Sequence, residues 1–419
     1  MAEKEKKEVK MFGVFDYAKK LNREFSSNSF VRKADIIPGY RRLATGALGM
    51  DYPLFGGFPY GRVFVFSGKE HSGKTTGAFA ALAAYQRENP DRICVFCDVE
   101  QSLDLEFQAL MNGEDLSKLL VMEPEVGMSG EQILATILEL QQNTNDIGFI
   151  VLDSIPALET AQNLSHEFEK DMGKQGTIAK SLAKFLKQII PSLREKQNCL
   201  ALINQVRVKD VLYNGAPVYD EPGGSGPKFY GSVNIRFGTR VYMKGDQESG
   251  TTDGTGADGF RIKFSITKNK TAATNRGGGF ITYRYLTGMD KVSDLFDIAT
   301  SFDFIHKINN QTYQLINLET GELLYDDNGK ELKGYRKVLK DYILTHEKFR
   351  NTYIQMLTEY ISASNTKKEN SVQLLDSDSL QEILDEEKTM EARAKKQKAE
   401  HPEEDADSKD LVIEEEDNN

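Results

Sequence analysis

A chain of 419 residues, 39% apolar and 28% charged, holds enough apolar material for a full core plus one or two appendages. No run approaches the roughly 20 apolar residues of a membrane span, and the opening MAEKEKKEVK is too charged for a signal peptide, so neither membrane insertion nor secretion is expected. The net charge of −11 counts against a nucleic-acid partner only until it is divided: Glu400 to Asn419 hold ten acidic residues and one lysine, a balance of −9, which leaves −2 on the other 399 residues.

From the N-terminus, Met11, Phe12, Val14, Phe15, Ala18 and Leu21 recur at helical spacing, so residues 1–40 are expected to carry a helix with one apolar face. That face must be buried, on the protein's own core or on a neighbouring subunit, and the spacing alone does not choose between them. Residues 41–290 alternate short apolar runs with helical patterns, which indicates an α/β fold with a mostly parallel central sheet covered by helices. Strands are expected at Val63–Ser67, Ile93–Asp98, Phe149–Asp153, Cys199–Asn204 and Ile235–Lys244, followed by a pair at Phe260–Lys268 and Phe280–Leu286. Cys94 and Cys97 form a C-x-x-C inside one of these apolar runs. No second pair completes a zinc site, so packing is expected, and three cysteines point to a reducing compartment. Residues 291–362 are expected to form a small α+β domain with a hairpin of Tyr313–Leu318 and Leu323–Tyr325 around Glu319-Thr320-Gly321. Residues 363–419 read as a charged helix running into an acidic tail with too little apolar content to repay ordering.

The first motif with chemistry is Gly68-Lys69-Glu70-His71-Ser72-Gly73-Lys74-Thr75, which fits G-x-x-x-x-G-K-[ST] and is followed by Thr76. An apolar strand leads into it and a helical run comes after. Its glycines let backbone amides converge on phosphate oxygens, and a helix N-terminus favours negative charge. Lys74 is expected to reach the β- and γ-phosphates of ATP, and Thr75 to bind Mg²⁺ through its hydroxyl. A carboxylate should end a neighbouring buried strand, and Asp153, closing Ile147-Gly148-Phe149-Ile150-Val151-Leu152, is read as the acid that holds the Mg²⁺. Phe96-Cys97-Asp98-Val99-Glu100 ends another strand in two acids. Glu100 is the choice for catalytic base; the alternative is that Asp98 and Glu100 only cap the following turn.

Downstream, Leu202-Ile203-Asn204-Gln205-Val206-Arg207 places an amide at a strand end, where Gln205 can hydrogen-bond a γ-phosphate and report its presence to the next segment of chain. That segment, from about Val208 to Lys228, with Gly215, Gly223, Gly224 and Gly226, is expected to be a functional loop. Arg207, Lys209, Gly223 and Gly224 are assigned to DNA binding, with Lys209 pairing with phosphate and Tyr213 stacking on bases. A second candidate loop, Gln162 to Gly176, carries Lys174. It leads into a helix whose Lys180, Lys184 and Lys187 fall at i, i+4 and i+7, a basic stripe suited to a DNA backbone.

The blocks G-K-E-H-S-G-K-T-T, D-V-E-Q-S-L-D, V-L-D-S-I-P-A-L, I-N-Q-V-R, G-P-K-F-Y-G-S-V and K-N-K stand in the order found in bacterial RecA recombinases, and the chain resembles that family from about residue 45 to 350. The resemblance implies a RecA-like P-loop core, an N-terminal helix that docks on the next protomer, and a small C-terminal domain. It implies ATP and Mg²⁺ bound between adjacent protomers of a helical filament, with DNA-dependent ATP hydrolysis accompanying homologous pairing and strand exchange. By position, Glu100 matches the catalytic glutamate and Gln205 the glutamine that couples ATP to the DNA-binding loops. Asp104 and Phe107 match residues beside the adenine, and Lys180 and Lys187 stand where the family contacts DNA phosphates. Lys268 and Lys270 match lysines that reach the neighbour's γ-phosphate, and Phe229 matches an interface aromatic. Expected partners are single-stranded DNA, homologous duplex, further copies of the chain, single-strand-binding protein and mediator proteins, in a bacterial or phage-infected cytoplasm. The acidic tail is expected to compete with DNA for basic surfaces. The chain departs from the family at Lys69 and His71, where Pro and Ser are usual, at Asn234, where an interface arginine is expected, and at Glu221-Pro222, where threonines are common. The alternatives are a hexameric RecA-like helicase motor and a nucleotide-binding regulatory module without DNA.

Overall fold

Runs such as Val63-Phe64-Val65-Phe66 are apolar at every position, which suits strands covered on both faces. The computed structural model describes residues 19–21, 23–24, 39–165, 177–211, 217–272, 276–316, 321–326 and 329–363. Its contacts divide the chain into two units, Met1–Tyr40 and Arg41–Asn419. In the first, residues 19–21 and 23–24 are helical, and Lys20 pairs with Glu24 one turn on at 3.5 Å. Met11, Phe12, Val14, Phe15 and Ala18 of the expected apolar face lie outside the described residues.

The second unit is built on an 11-stranded sheet. In chain order its elements begin with β1 (Val63–Gly68), β2 (Ile93–Asp98), β3 (Leu119–Met122), β4 (Ile147–Asp153) and β5 (Cys199–Gln205). A separate hairpin, β6 (Arg207–Val211) and β7 (Pro217–Asp220), comes next. The sheet then continues with β8 (Val233–Phe237), β9 (Val241–Lys244), β10 (Gln247–Glu248), β11 (Gly259–Asn269), β12 (Gly278–Arg284) and β13 (Gly288–Met289). Strands β3-β2-β4-β5-β1-β8 lie side by side and all parallel, and β11 closes antiparallel on β8. The expected mostly parallel α/β core is therefore present.

Side chains alternate across this sheet with period two. Phe64, Phe66, Phe96, Phe149 and Val151 enter one apolar layer, with Phe79 and the alanines of α1 (Lys74–Glu88). Val63, Val65, Val95, Ile150 and Leu152 enter the other, against Ile133 and Ile137 of one helix and Leu182, Phe185, Leu186 and Ile189 of another. Cys94 and Cys97, an odd number of residues apart, fall in opposite layers, so they pack separately and cannot share a metal. Phe79 stacks on Phe96 with ring centroids 4.9 Å apart. Truncating either ring to alanine would cost about 3–5 kcal/mol.

Further helices are α2 (Leu105–Asn112), α3 (Gly130–Asn143), α4 (Thr177–Lys196) and α5 (Ser225–Tyr230). A capping box of Ser129 and Gln132 starts α3. On α4 the buried residues Leu182, Phe185, Leu186, Ile189 and Leu193 follow the helical repeat, which leaves Lys180, Lys184 and Lys187 exposed. Past the sheet come α6 (Lys291–Ser301), the antiparallel strands β14 (Ile305–Lys307), β15 (Thr312–Leu315) and β16 (Lys333–Tyr335), then α7 (Arg336–Thr345) and α8 (Glu347–Ala363). They share an apolar cluster that includes Phe296, Ile305, Leu315, Ile343 and Tyr353. Residues 364–419, with the acidic tail, lie outside the described residues, and none of the described helices is long and apolar enough to cross a membrane.

Three local expectations are corrected. Ile235–Lys244 is not one strand: Gly238, Thr239 and Arg240 interrupt it, and the halves β8 and β9 continue one antiparallel ladder along β11. The segment Val208–Lys228 is not a bare loop, because β6 pairs with β7 and Ser225–Tyr230 is helical. Backbone pairing satisfies the amides that a free loop would leave to water. In the C-terminal region β15 pairs with β14 and β16, and the expected partner Leu323–Tyr325 contributes only the single bridges Ile316 to Leu323 and Tyr325 to Glu331. Turn residues Glu319 and Thr320 lie outside the described residues.

Candidate functional site

Parallel strands bring their C-terminal ends to one edge, where ligands of α/β sheets bind. Here the register sets Gly68 beside Gln205 and Asp98 beside Asp153. Between β1 and α1 the turn tightens because two glycines permit it. A Cβ on Gly68 would stand 2.6 Å from Ser72 Oγ and 2.8 Å from the Phe237 carbonyl oxygen, and Gly73 has φ +87° with Ile262 against it. His71 also adopts a positive φ of 55°, is exposed, and lies 3.6 Å from Glu70. Lys69 is exposed as well, and its carbonyl accepts a 2.7 Å hydrogen bond from Lys74 Nζ. Burial lowers the pKa of Lys74, against the opposing pull of Asp153, Glu100 and Glu70. The buried Ser72 Oγ has no hydrogen-bond partner among the described residues.

Thr75 Oγ1 donates to Asp153 Oδ2 at 2.7 Å. Burial pushes the Asp153 carboxyl up to about 7; Thr75 works against this, and the charges of Glu100 and Asp98 add to it. The two acids at the end of β2 differ in what they meet. Asp98 caps the turn, accepting from the Leu103 amide at 3.0 Å. Both border the cleft, and there Glu100 Oε1 accepts from the Ser154 hydroxyl and from Gln205 Nε2 at 3.0 Å. Asp104 starts α2 by accepting from the Phe107 amide at 2.9 Å.

These groups border one cleft of about 360 Å³. Its lining includes Glu70, His71, Gly73, Lys74, Thr75 and Thr76 on one side and Glu100, Asp104, Phe107, Asp153 and Gln205 on the other. The structure thus brings together the residues assigned to phosphate binding and catalysis, except Lys268 and Lys270. Those two lie at the far end of β11: Lys268 stands opposite Asn234, whereas Gly68, where the glycine turn begins, lies level with Phe237 and Phe264. Lys268 Nζ donates to the carbonyls of Lys228 and Phe229, and Lys270 Nζ to that of Phe229 at 2.7 Å. The Phe229 ring is 67% exposed and sits 5.4 Å from Lys270 Nζ, so all three candidates form one surface patch.

The departures also find places. Asn234 is buried in the sheet, and Glu221 pairs with Arg236 at 2.6 Å and Lys228 at 3.7 Å. Asn204 Nδ2 donates to the Pro222 carbonyl at 2.9 Å, which ties the end of β5 to the segment after the hairpin. Gly223 and Gly224 pack on Leu182 and Ala179 of α4, where a Cβ would stand 3.1 and 3.0 Å away. The exposed lysines of α4 make no ion pair among the described residues. Arg207 and Lys209 lie on β6 but their side chains, like all of Lys174 and Tyr213, fall outside what is described.

The sequence reading assigned no role to Ser102, Leu103, Gln108 and Arg240 of the cleft lining, nor to Ser154, which bonds Glu100. Ser154, next to the strand-end acid, has a hydroxyl on Glu100, and its adjacency was the available signal. Arg240 lines the cleft from within what read as a continuous strand, and no local pattern marked it.

A family model described as the RecA N-terminal domain matches residues 16–288. Among the relatives, Protein RecA of Helicobacter pylori (strain G27) is 30% identical over 330 residues, 78% of this chain and 88% of its own. Protein RecA of Helicobacter hepaticus is 33% identical over 295 residues, 69% and 79% of the two chains. Protein RecA of Chlorobaculum parvum is 29% identical over 352 residues, 83% and 92%. Likeness over that share of both chains, on a sheet whose strand ends converge as described, means that this protein belongs to the RecA family.

Proposed function

We propose that this protein is an ATP-dependent recombinase that polymerises on single-stranded DNA and pairs it with homologous duplex, hydrolysing ATP as it does so. The observation that carries the reading is the 3.0 Å contact from Gln205 Nε2 to Glu100 Oε1. It joins the candidate base to the strand end that leads, two residues later, into the hairpin assigned to DNA.

The turn from Gly68 to Thr75 wraps the phosphates, and Lys74 exchanges the Lys69 carbonyl for a phosphate oxygen. A hydroxyl and a carboxylate at 2.7 Å, with two more acids acting on that carboxylate, form an oxygen donor set suited to a hard divalent cation. Thr75 and Asp153 would hold Mg²⁺, which offsets phosphate charge when bound. Glu100 serves as general base, held until needed by Ser154 and Gln205. When the Gln205 amide turns to a γ-phosphate, Glu100 is released towards water, and the start of β6 is drawn with the amide. The basic stripe of Lys180, Lys184 and Lys187 and the β6–β7 hairpin supply DNA contacts. Lys268, Lys270 and Phe229 meet the next protomer. The acidic tail competes for the same basic surfaces.

Electron microscopy with single-stranded DNA and a slowly hydrolysed ATP analogue tests this reading. Helical filaments are expected. Closed rings would favour the helicase motor, and no assembly would leave only a nucleotide-binding module.

A further inference from the structure

The interruption between β8 and β9 has a chemical result. Gly238 still donates its amide to the Lys263 carbonyl of β11 at 2.8 Å, but Thr239 and Arg240 leave the ladder, and Arg240 borders the cleft together with Asp104, Phe107 and Gln108 of the α2 side. Its guanidinium carbon lies 4.2 Å from the centroid of the Phe260 ring. Phe260 stacks on Tyr283 at 5.2 Å, and the Tyr283 hydroxyl donates to Asn112 Oδ1, at the last residue of α2, at 2.9 Å. The platform under the guanidinium is thus fastened to the helix that carries Phe107.

Stacking occupies the flat face of a guanidinium and leaves its edge, with five N–H donors, to find acceptors. Arg240 finds none: it makes no hydrogen bond or ion pair among the described residues, and its Nε is buried. The contrast with other arginines that bury an unbonded Nε is sharp. Arg236 anchors a terminal nitrogen on Glu221, Arg336 on Asp297, and Arg350 on the Leu344 carbonyl. A part-buried guanidinium without an acceptor is costly unless a ligand supplies one.

We propose that Arg240 recognises the base of the bound nucleotide, donating to an acceptor nitrogen of the purine ring while its face stays on Phe260. This rests on the reading of the cleft as an ATP site. Asp104, which borders the same cleft, complements it. Asp104 uses Oδ1 to cap α2, and its other oxygen is free to accept from an exocyclic amine. A donor at Arg240 and an acceptor at Asp104 match the ring nitrogen and neighbouring amino group of adenine, whereas guanine presents an oxygen in place of that amine.

Calorimetric titration without DNA tests the assignment, comparing ATP with ribose 5′-triphosphate, which lacks the base. Arg240→Met keeps an apolar stem on Phe260 and should weaken ATP binding about tenfold or more, since a hydrogen bond from a charged group is lost. Ribose 5′-triphosphate should bind wild type and variant alike. Equal loss for both ligands would place the guanidinium on ribose or phosphate, and no loss for either would remove it from recognition; each result overturns the proposal. Should Arg240→Met not fold, Arg240→Lys, which keeps the charge but not the fork, should show a partial loss confined to ATP. Lys74→Ala separates this from the reading beneath it. If wild type binds ATP no better than Lys74→Ala, the nucleotide site itself is wrong; if binding needs Lys74 but not Arg240, only the base assignment falls.

Discussion

Replacing Lys268 and Lys270 by alanine separates a site completed by a neighbour from one complete in a single chain. The register sets the magnitude. Lys268 is opposite Asn234, itself beside Val65, while Gly68 is level with Phe237, three positions further along. Three residues along the strands and two strand spacings across put the Lys268 and Gly68 Cα atoms about 14 Å apart. Over that distance a unit charge in water acts with about 0.3 kcal/mol, less than a twofold effect on rate. Nor is the side chain free to swing, because both ammonium groups are fastened to carbonyls at the end of α5. Within one protomer, then, the double variant should bind nucleotide within about threefold of wild type. If the lysines act on the next protomer's γ-phosphate, DNA-dependent ATPase should fall by ~10³–10⁵, as when an arginine finger is lost. The assay is a mixing series with Lys74→Ala protein, each variant being nearly inactive alone. In an equal, random mixture of head-to-tail interfaces, one in four joins an intact phosphate-binding turn to intact lysines, so about a quarter of the wild-type rate should return. Circular dichroism checks α5, since each lost carbonyl bond costs only about 1 kcal/mol. The shared-site reasoning is refuted if no ratio restores activity although both proteins co-assemble on DNA. It is equally refuted if the double variant alone keeps a rate within tenfold of wild type.

Glu100→Gln removes the base but keeps its shape, so filaments should form with ATP and persist while phosphate release slows by about 10²–10⁴; an unchanged turnover would move the role elsewhere. Deleting Glu400–Asn419 removes a net −9 and should tighten DNA binding, most at low salt, read as a steeper salt dependence of affinity. Glu114 is buried with both carboxylate oxygens unbonded, and burial raises its pKa to about 8. A folded pKa above the unfolded value contributes stability that is full below the unfolded pKa near 4.5 and is lost as pH rises through about 8. Glu114→Gln should therefore melt above wild type at pH ~8.5, by on the order of 2–4 kcal/mol, with the gap closing towards pH ~5. A gap independent of pH in thermal unfolding would assign the effect to packing instead.

Most of the central strands, the glycine turn from Gly68 and the strand-end acids could be read from the chain because each is local. Alternation of period two separates Phe64 from Val65 and Cys94 from Cys97, and G-x-x-x-x-G-K-[ST] states its own turn. Spacing could also place Gln205 at a strand end. It favoured Glu100 over Asp98 as the base but could not say what meets each: the Leu103 amide for one, Ser154 and Gln205 for the other. Local pattern likewise misread Val208–Lys228, where pairing between β6 and β7 supplies hydrogen bonds that composition does not announce. Arg240 is the clearest case. A lone arginine between Thr239 and Val241 looks like an ordinary outward residue of a strand, and only the break in the ladder turns it to the cleft. Periodicity carries the direction of a side chain while the backbone stays regular; where it departs, only contacts distant in sequence decide where that side chain points.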